Sequence, residues 1–324
     1  MRVVAILNQK GGVGKTTTAV NLGAALARRG RRVLLIDMDP QCNLTDHLGV
    51  DLDEDAPSVY DVLASGITLE ETIRPTATEG LDVAPADEDL AGVEVEMAGW
   101  PGREALLRKA IHALPEGRYD WVIVDYPPSL GLLSLNAMAA CPEIFITLQT
   151  EYFALRGLGQ LARIVEMVRS GIHPELRIAG ILPTLVSPVT NLAREVLEEV
   201  RAHFGDRVFT TRIRQNVRLA EAPGHQQHIF DYAPHSAGAH DYEALAEELL
   251  RSSGIPEPVE EDANGSSDRP DPHPTADAVV PPPGRPEGPV EGPPLPKEVE
   301  IKPLPDAPTN GKSGERPRPE SPTS

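Results

Sequence analysis

Cysteine is almost missing from this 324-residue chain, which has only Cys42 and Cys141. Two thiols exclude a disulfide framework and a CxxC metal or redox motif, and a reducing compartment is the expectation. No apolar run approaches the roughly 18 residues that a membrane span needs, and the first residues run straight into a strand pattern with no leader-like segment. Positive charge is also short: the formal net charge is −19, so any nucleic-acid contact requires a local basic patch. The nine histidines show no metal-ligand spacing.

Aromatic residues, cysteine and methionine all disappear after residue 255, while 19 of the 33 prolines fall there. Such a stretch has too little apolar surface to offset the ordering of its backbone. The sequence therefore divides into a domain over residues 1–254 and a disordered, acidic, proline-rich tail over 255–324. The apolar content of 40% is enough for a buried core in the first part.

Within residues 1–254, short apolar runs alternate with segments of helical period, and neither a repeat nor a Gly/Ser-rich linker interrupts them. Strands are predicted at 2–7, 32–36, 81–84, 121–124, 143–148 and 176–182. Helices are predicted at 15–29, 103–114, 130–140, 155–169, 192–204 and 239–251, with Gly30 as the stop of the first. This order describes a doubly wound α/β domain, a mostly parallel sheet with helices on both faces.

Residues 8–17 read Asn-Gln-Lys-Gly-Gly-Val-Gly-Lys-Thr-Thr and sit where the first strand hands over to the first helix. That is the setting of a phosphate loop. Gly11, Gly12, Val13 and Gly14 would turn backbone N–H groups toward phosphate oxygens, and the helix N-terminus adds partial positive charge. Lys15 would reach the β and γ phosphates of ATP, Thr16 would give a hydroxyl to Mg²⁺, and Thr17 follows in the first helical turn. The general pattern has Gly where this chain has Gln9, and a second lysine, Lys10, enters the loop.

Carboxylates are needed to complete such a site. Asp37 and Asp39 end the run at 33–36, and Asp125 ends the run at 121–124. Ligands of open α/β sheets bind at the carboxyl ends of strands, so all three are expected near the loop. Asp125 is read as the metal carboxylate and Asp39 as the residue that positions the hydrolytic water and contributes to the metal site. The plainer reading is that strand-end aspartates cap the following turns.

The loop KGGVGKTT from Lys10, with LLIDMDPQCNLT from Leu34, VIVDYPPSLGLLSLNAM from Val122, QTEYFALRGLGQL from Gln149 and NVRLAEAPGH from Asn216, resembles the ParA/Soj family of DNA-partition ATPases. The resemblance covers nearly all of residues 1–250. It implies an ATP-sandwiched homodimer in which Lys10 crosses to the partner's phosphates as a cation supplied in trans. It further implies binding of nonspecific double-stranded DNA in the ATP state, a ParB-type activator protein, and a cytoplasmic, nucleoid-associated location. Three positions depart from the family pattern: Cys42 replaces a usual Gly, Tyr126 a usual small residue, and Arg214-Gln215 a Pro-Arg pair. Arg214 and Asn216 are carried over as adenine-side contacts.

Arg201, Arg207, Arg212, Arg214 and Arg218 face one acid, Asp206, between residues 201 and 218, with Arg194 shortly before. This is the local basic patch, and Arg194 and Arg218 are its candidate DNA contacts. The plainer reading is a solvated arginine-rich face. Rival readings are a membrane-cycling Min-type ATPase, which needs a C-terminal amphipathic helix, and a metabolic amide-forming ligase of the same fold. Trp121 and the pair Tyr152-Phe153 are read as packing residues.

Overall fold

The computed structural model describes residues 1–53, 55–187 and 191–252; the tail read at 255–324 lies outside them. In chain order the elements are β1 (Arg2–Leu7), α1 (Lys15–Ala27), β2 (Val33–Asp37), α2 (Asn43–His47), α3 (Val59–Ala64), α4 (Leu69–Thr72), β3 (Arg74–Pro75) and β4 (Leu81–Ala84). Then follow α5 (Val93–Glu96), α6 (Leu106–His112), β5 (Trp121–Asp125), α7 (Leu132–Ala140), β6 (Glu143–Gln149), α8 (Ala154–Gly171) and β7 (Arg177–Thr184). The described chain closes with α9 (Asn191–Phe204), α10 (Val217–Glu221), α11 (Ile229–Tyr232) and α12 (Ala237–Ser252).

One sheet runs in the order β3-β4-β2-β5-β1-β6-β7, parallel throughout except for β3 against β4. Both faces are covered, which is why the strands read as nearly continuous apolar runs. Alternation still sorts them. Val3, Ala5 and Leu7 pack on the side of α3, α6, α7 and α8, while Val4 and Ile6 pack on the side of α1 and α12. Burying each large aliphatic side chain contributes about 1.5–3 kcal/mol, so register is set on both faces at once.

All six predicted strands are present, and the doubly wound class holds. The sequence reading missed β3 and the helices α2 to α5, α10 and α11. These are two to six residues long, too short to show a period. Pro75 is tolerated in β3 because that strand lies at the sheet edge. Gly30 closes α1 as expected, its N–H reaching Ala27 O at 2.8 Å.

Parallel strands bring their carboxyl ends to one edge. The loop after β1, the aspartates after β2 and β5, and the turn after β6 therefore meet where β1 lies between β5 and β6. This is the place where a doubly wound sheet binds ligands.

Candidate nucleotide site

The loop between β1 and α1 is pinned from three directions. Asn8 Nδ2 donates to Thr147 O at 2.6 Å, Lys10 N donates to Asn8 Oδ1 at 2.9 Å, and Thr184 Oγ1 donates to Val13 O at 2.9 Å. Gly12 and Gly14 have φ of 70° and 84°. A Cβ on either would meet nothing within 4 Å, so backbone angle, not crowding, calls for glycine here. Helix α1 has no side-chain cap and no acid in its first turn. Its first N–H groups and positive dipole end thus face the loop unopposed, the combination that receives phosphate.

Thr16, in the first turn of α1, donates Oγ1 to Asp125 Oδ2 at 2.5 Å. Asp125 ends β5, is fully buried, and its Oδ1 has no hydrogen-bond partner among the described residues. Burial, reinforced by the nearby Asp37 charge, pushes its carboxyl up to about 7. Lys15 is buried beside it. Burial holds the lysine below its usual pKa, while Asp125 and then Asp39 pull the other way.

Asp37 and Asp39 divide their work. Asp37 is fully buried and accepts from Thr45 N at 3.0 Å, Thr45 Oγ1 at 2.8 Å and Asp39 N at 3.1 Å. Burial raises it to about 6 against these bonds. It holds the segment after β2 in place. Asp39 also follows the plainer reading in part, since its Oδ1 accepts from Gln41 N at 3.0 Å.

Lys10 is exposed, and its Nζ reaches Gln149 Oε1 at 2.8 Å and Glu151 Oε2 at 2.6 Å. Sequence reasoning assigned no role to Gln149 or Glu151, although both lie in a segment that carried the resemblance. Glu94, outside those segments, is another residue to which sequence reasoning assigns no role: its Oε1 accepts from Leu132 N at 2.7 Å and fixes the start of α7, just beyond the loop that follows Asp125.

Two sequence-read residues have local partners, and one reading is corrected. Arg214 is forked onto Asp241, with Nε and Nη2 at 3.0 and 2.7 Å from Oδ1. Asn216 caps α10 by accepting from Arg218 N at 2.8 Å. Both therefore have partners within the chain. Tyr152 and Phe153 are not core packing, being 51% and 70% exposed, whereas Trp121 is fully buried as expected. Of the candidate DNA contacts, Arg194 is exposed on α9 on the same face as Arg201, and exposed Arg218 pairs with Glu221 at 2.8 Å.

Cys42 occupies the left-handed region at φ 53°, which explains why glycine is the usual residue there. Tyr126 lies in the core with its hydroxyl unpartnered among the described residues.

Comparison with known proteins agrees with this geometry. The family described as AAA domain matches residues 1–178. The chromosome-partitioning ATPase Soj of Thermus thermophilus is 49% identical over 250 residues, covering 77% of this chain and 96% of that protein. The sporulation initiation inhibitor protein Soj of Bacillus subtilis is 47% identical over 248 residues, covering 76% of this chain and 98% of that protein. A solved structure described as cobyrinic acid a,c-diamide synthase from Mycobacterium smegmatis, with bound ADP and magnesium, is 39% identical with a TM-score of 0.68. It covers 79% of this chain and 96% of that one. With the phosphate loop, its two lysines and the strand-end aspartates in one place, and this identity running through nearly the whole described chain, the protein belongs to the ParA/Soj family of chromosome-partitioning ATPases.

Proposed function

We propose that this partition ATPase closes as a homodimer around ATP and Mg²⁺, binds nonspecific double-stranded DNA in that state, and is reset when a ParB-type activator stimulates hydrolysis. The observation that carries the reading is the placement of two lysines on one glycine loop. Lys15 is buried toward Asp125 and Asp39, whereas Lys10 stays at the surface. Within one subunit Lys15 neutralises the β and γ phosphates, together with the N–H groups of residues 11–17. Lys10 supplies its charge to the other subunit, so pairing and hydrolysis are linked as they are for an arginine finger.

The residues fit a hard cation. Asp125 offers a buried oxygen with no hydrogen-bond partner among the described residues, beside the hydroxyl of Thr16, and Mg²⁺ takes oxygen ligands of this kind. Thr16 and Asp125 would hold it, with Asp39 contributing through water, and the ion would offset charge on the phosphate oxygens. Asp39 orients the attacking water.

Arg194 and Arg218 are the proposed phosphate contacts on DNA, and the protein is proposed to act in the cytoplasm on the nucleoid. Among the described residues, no helix is long and apolar enough to cross a membrane. DNA binding should require ATP. Arg218→Ala should weaken it on every sequence and make the salt slope shallower by about 1. Affinity indifferent to nucleotide and to Arg218 would reject the DNA assignment.

The 39% identity to a structure described as an amide-forming synthase favours one alternative, ATP-dependent activation of a small acid. Turnover measurements separate the two. Stimulation by DNA plus activator supports the partition cycle, and stimulation by a carboxylic acid with an amide donor supports the synthase.

A further inference from the structure

We propose that Asn21 and Tyr232 are positioning residues that link the phosphate loop to Arg218 through α11, so that nucleotide sets the strength of DNA binding; the inference rests on the ATP-gated DNA binding proposed above. Asn21 is fully buried in α1, and both ends of its amide are used. Its Nδ2 donates to Thr17 O at 2.7 Å, in the turn whose N–H groups face the loop. Its Oδ1 accepts from Ile229 N at 2.7 Å, at the start of α11 and 208 positions away. The other end of α11 carries Tyr232, whose hydroxyl donates to Glu221 Oε2 at 2.9 Å. The same oxygen accepts from Arg218 Nη1 at 2.8 Å. A continuous line of bonds thus runs from the phosphate loop to the candidate DNA contact.

The segment before α11 is gripped a second time. His47, buried at the end of α2, donates from Nε2 to Gln227 O at 3.1 Å, and α2 is itself tied to Asp37 through Thr45. Residues 227 and 229 are therefore held by the two segments that border the nucleotide site, α1 and the stretch after β2. A short helix pinned by buried hydrogen bonds moves with its anchors as a unit. Its far end sets the carboxylate that sits on Arg218. Arg218 and Glu221 are 55% and 40% exposed, so their pairing is weak enough for a phosphate to compete for the guanidinium. Holding or withdrawing Glu221 adjusts DNA affinity without touching DNA.

The test measures duplex DNA affinity of the full chain carrying Asp39→Ala to slow hydrolysis, once with ATP and once with ADP, each with Mg²⁺. Tyr232→Phe keeps the ring that stacks on His225, 4.8 Å between centroids, and loses only the hydroxyl. It is expected to cut the ratio of the two affinities about 5-fold or more, as loss of a coupling between sites does. Asn21→Ala should do the same, and the double variant should lose no more than either single one, because the two act in series. In an Arg218→Ala background Tyr232→Phe should change nothing. Tyr60→Phe, which removes a hydroxyl bonded to Glu96 at 2.9 Å on α3, should leave the ratio intact. ATP-driven pairing of Tyr232→Phe, followed by sedimentation velocity, should match the parent. If Tyr232→Phe keeps the parent's ratio, or weakens binding equally with both nucleotides, the linkage is wrong while ATP-gated DNA binding stands; this variant decides the matter if Asn21→Ala fails to fold. A parent that binds DNA alike with ATP and ADP overturns both. A ratio lost together with pairing would assign the effect to the dimer and reject the linkage.

Discussion

Thr16 Oγ1 donates to Asp125 Oδ2 at 2.5 Å, joining the start of α1 to the end of β5 across 109 positions of sequence. The bond leaves the second Asp125 oxygen buried without a partner among the described residues, close to the Asp37 charge. The site therefore holds negative charge under strain, and a cation with nucleotide relieves it. Stability and function oppose each other at this residue.

Asp125→Asn should make the nucleotide-free protein more stable and abolish ATP turnover. The folded-state pKa of Asp125, about 7, lies above the ordinary carboxylate value of 3.8. Its contribution to stability is thus greatest below pH 3.8 and is lost as pH rises through 7. The gain from Asn should be largest above pH 7 and shrink toward pH 4. Urea unfolding at several pH values measures it; a gain independent of pH would contradict the assignment.

Tyr126→Phe removes a buried hydroxyl that has no partner among the described residues. A stabilisation of about 1 kcal/mol is expected, which raises the melting temperature by about 2–4 °C in a domain of this size. A destabilised variant would mean that the hydroxyl is satisfied.

At Cys42 the left-handed backbone sets the order of substitutions. Cys42→Gly should be at least as stable as the parent, and Cys42→Val should lose about 1 kcal/mol or more because a β-branched residue resists this conformation. The thiol itself is pushed up to about 12 by burial and by Asp37 and Asp46. Alkylation at pH 8 should accordingly be slow.

Arg214→Ala strips the fork from Asp241, which is only 8% exposed and would be left largely unpaired. A loss of about 1–3 kcal/mol is expected, with ATP affinity of the folded protein unchanged. Reduced affinity at full stability would support an adenine-side role.

The parts of this protein legible in the sequence are those written locally. Strands covered on both faces appear as apolar runs, and the phosphate loop is a continuous segment whose glycines are needed for backbone angle. Asp125 was legible because strand ends in a parallel sheet share one edge. The rest depends on contacts between distant residues. Glu151 meets Lys10 across 141 positions, and Asp241 meets Arg214 on an element that no motif connects to it. Asp37 is set apart from Asp39 chiefly by its two bonds from Thr45, a residue that gives no signal of its own. Tyr152 and Phe153 were read as packing because aromatic residues usually are, and their exposure follows from a turn whose path the pattern does not encode.

The central claim is that Lys10 acts across subunits while Lys15 acts within one. ATP turnover and nucleotide binding by Lys10→Ala, measured against the unaltered chain with DNA and activator present, test it most directly. The account predicts binding within a few-fold of normal and turnover lower by about 10³-fold or more, the range of a cation supplied in trans. Turnover undiminished in Lys10→Ala would contradict it.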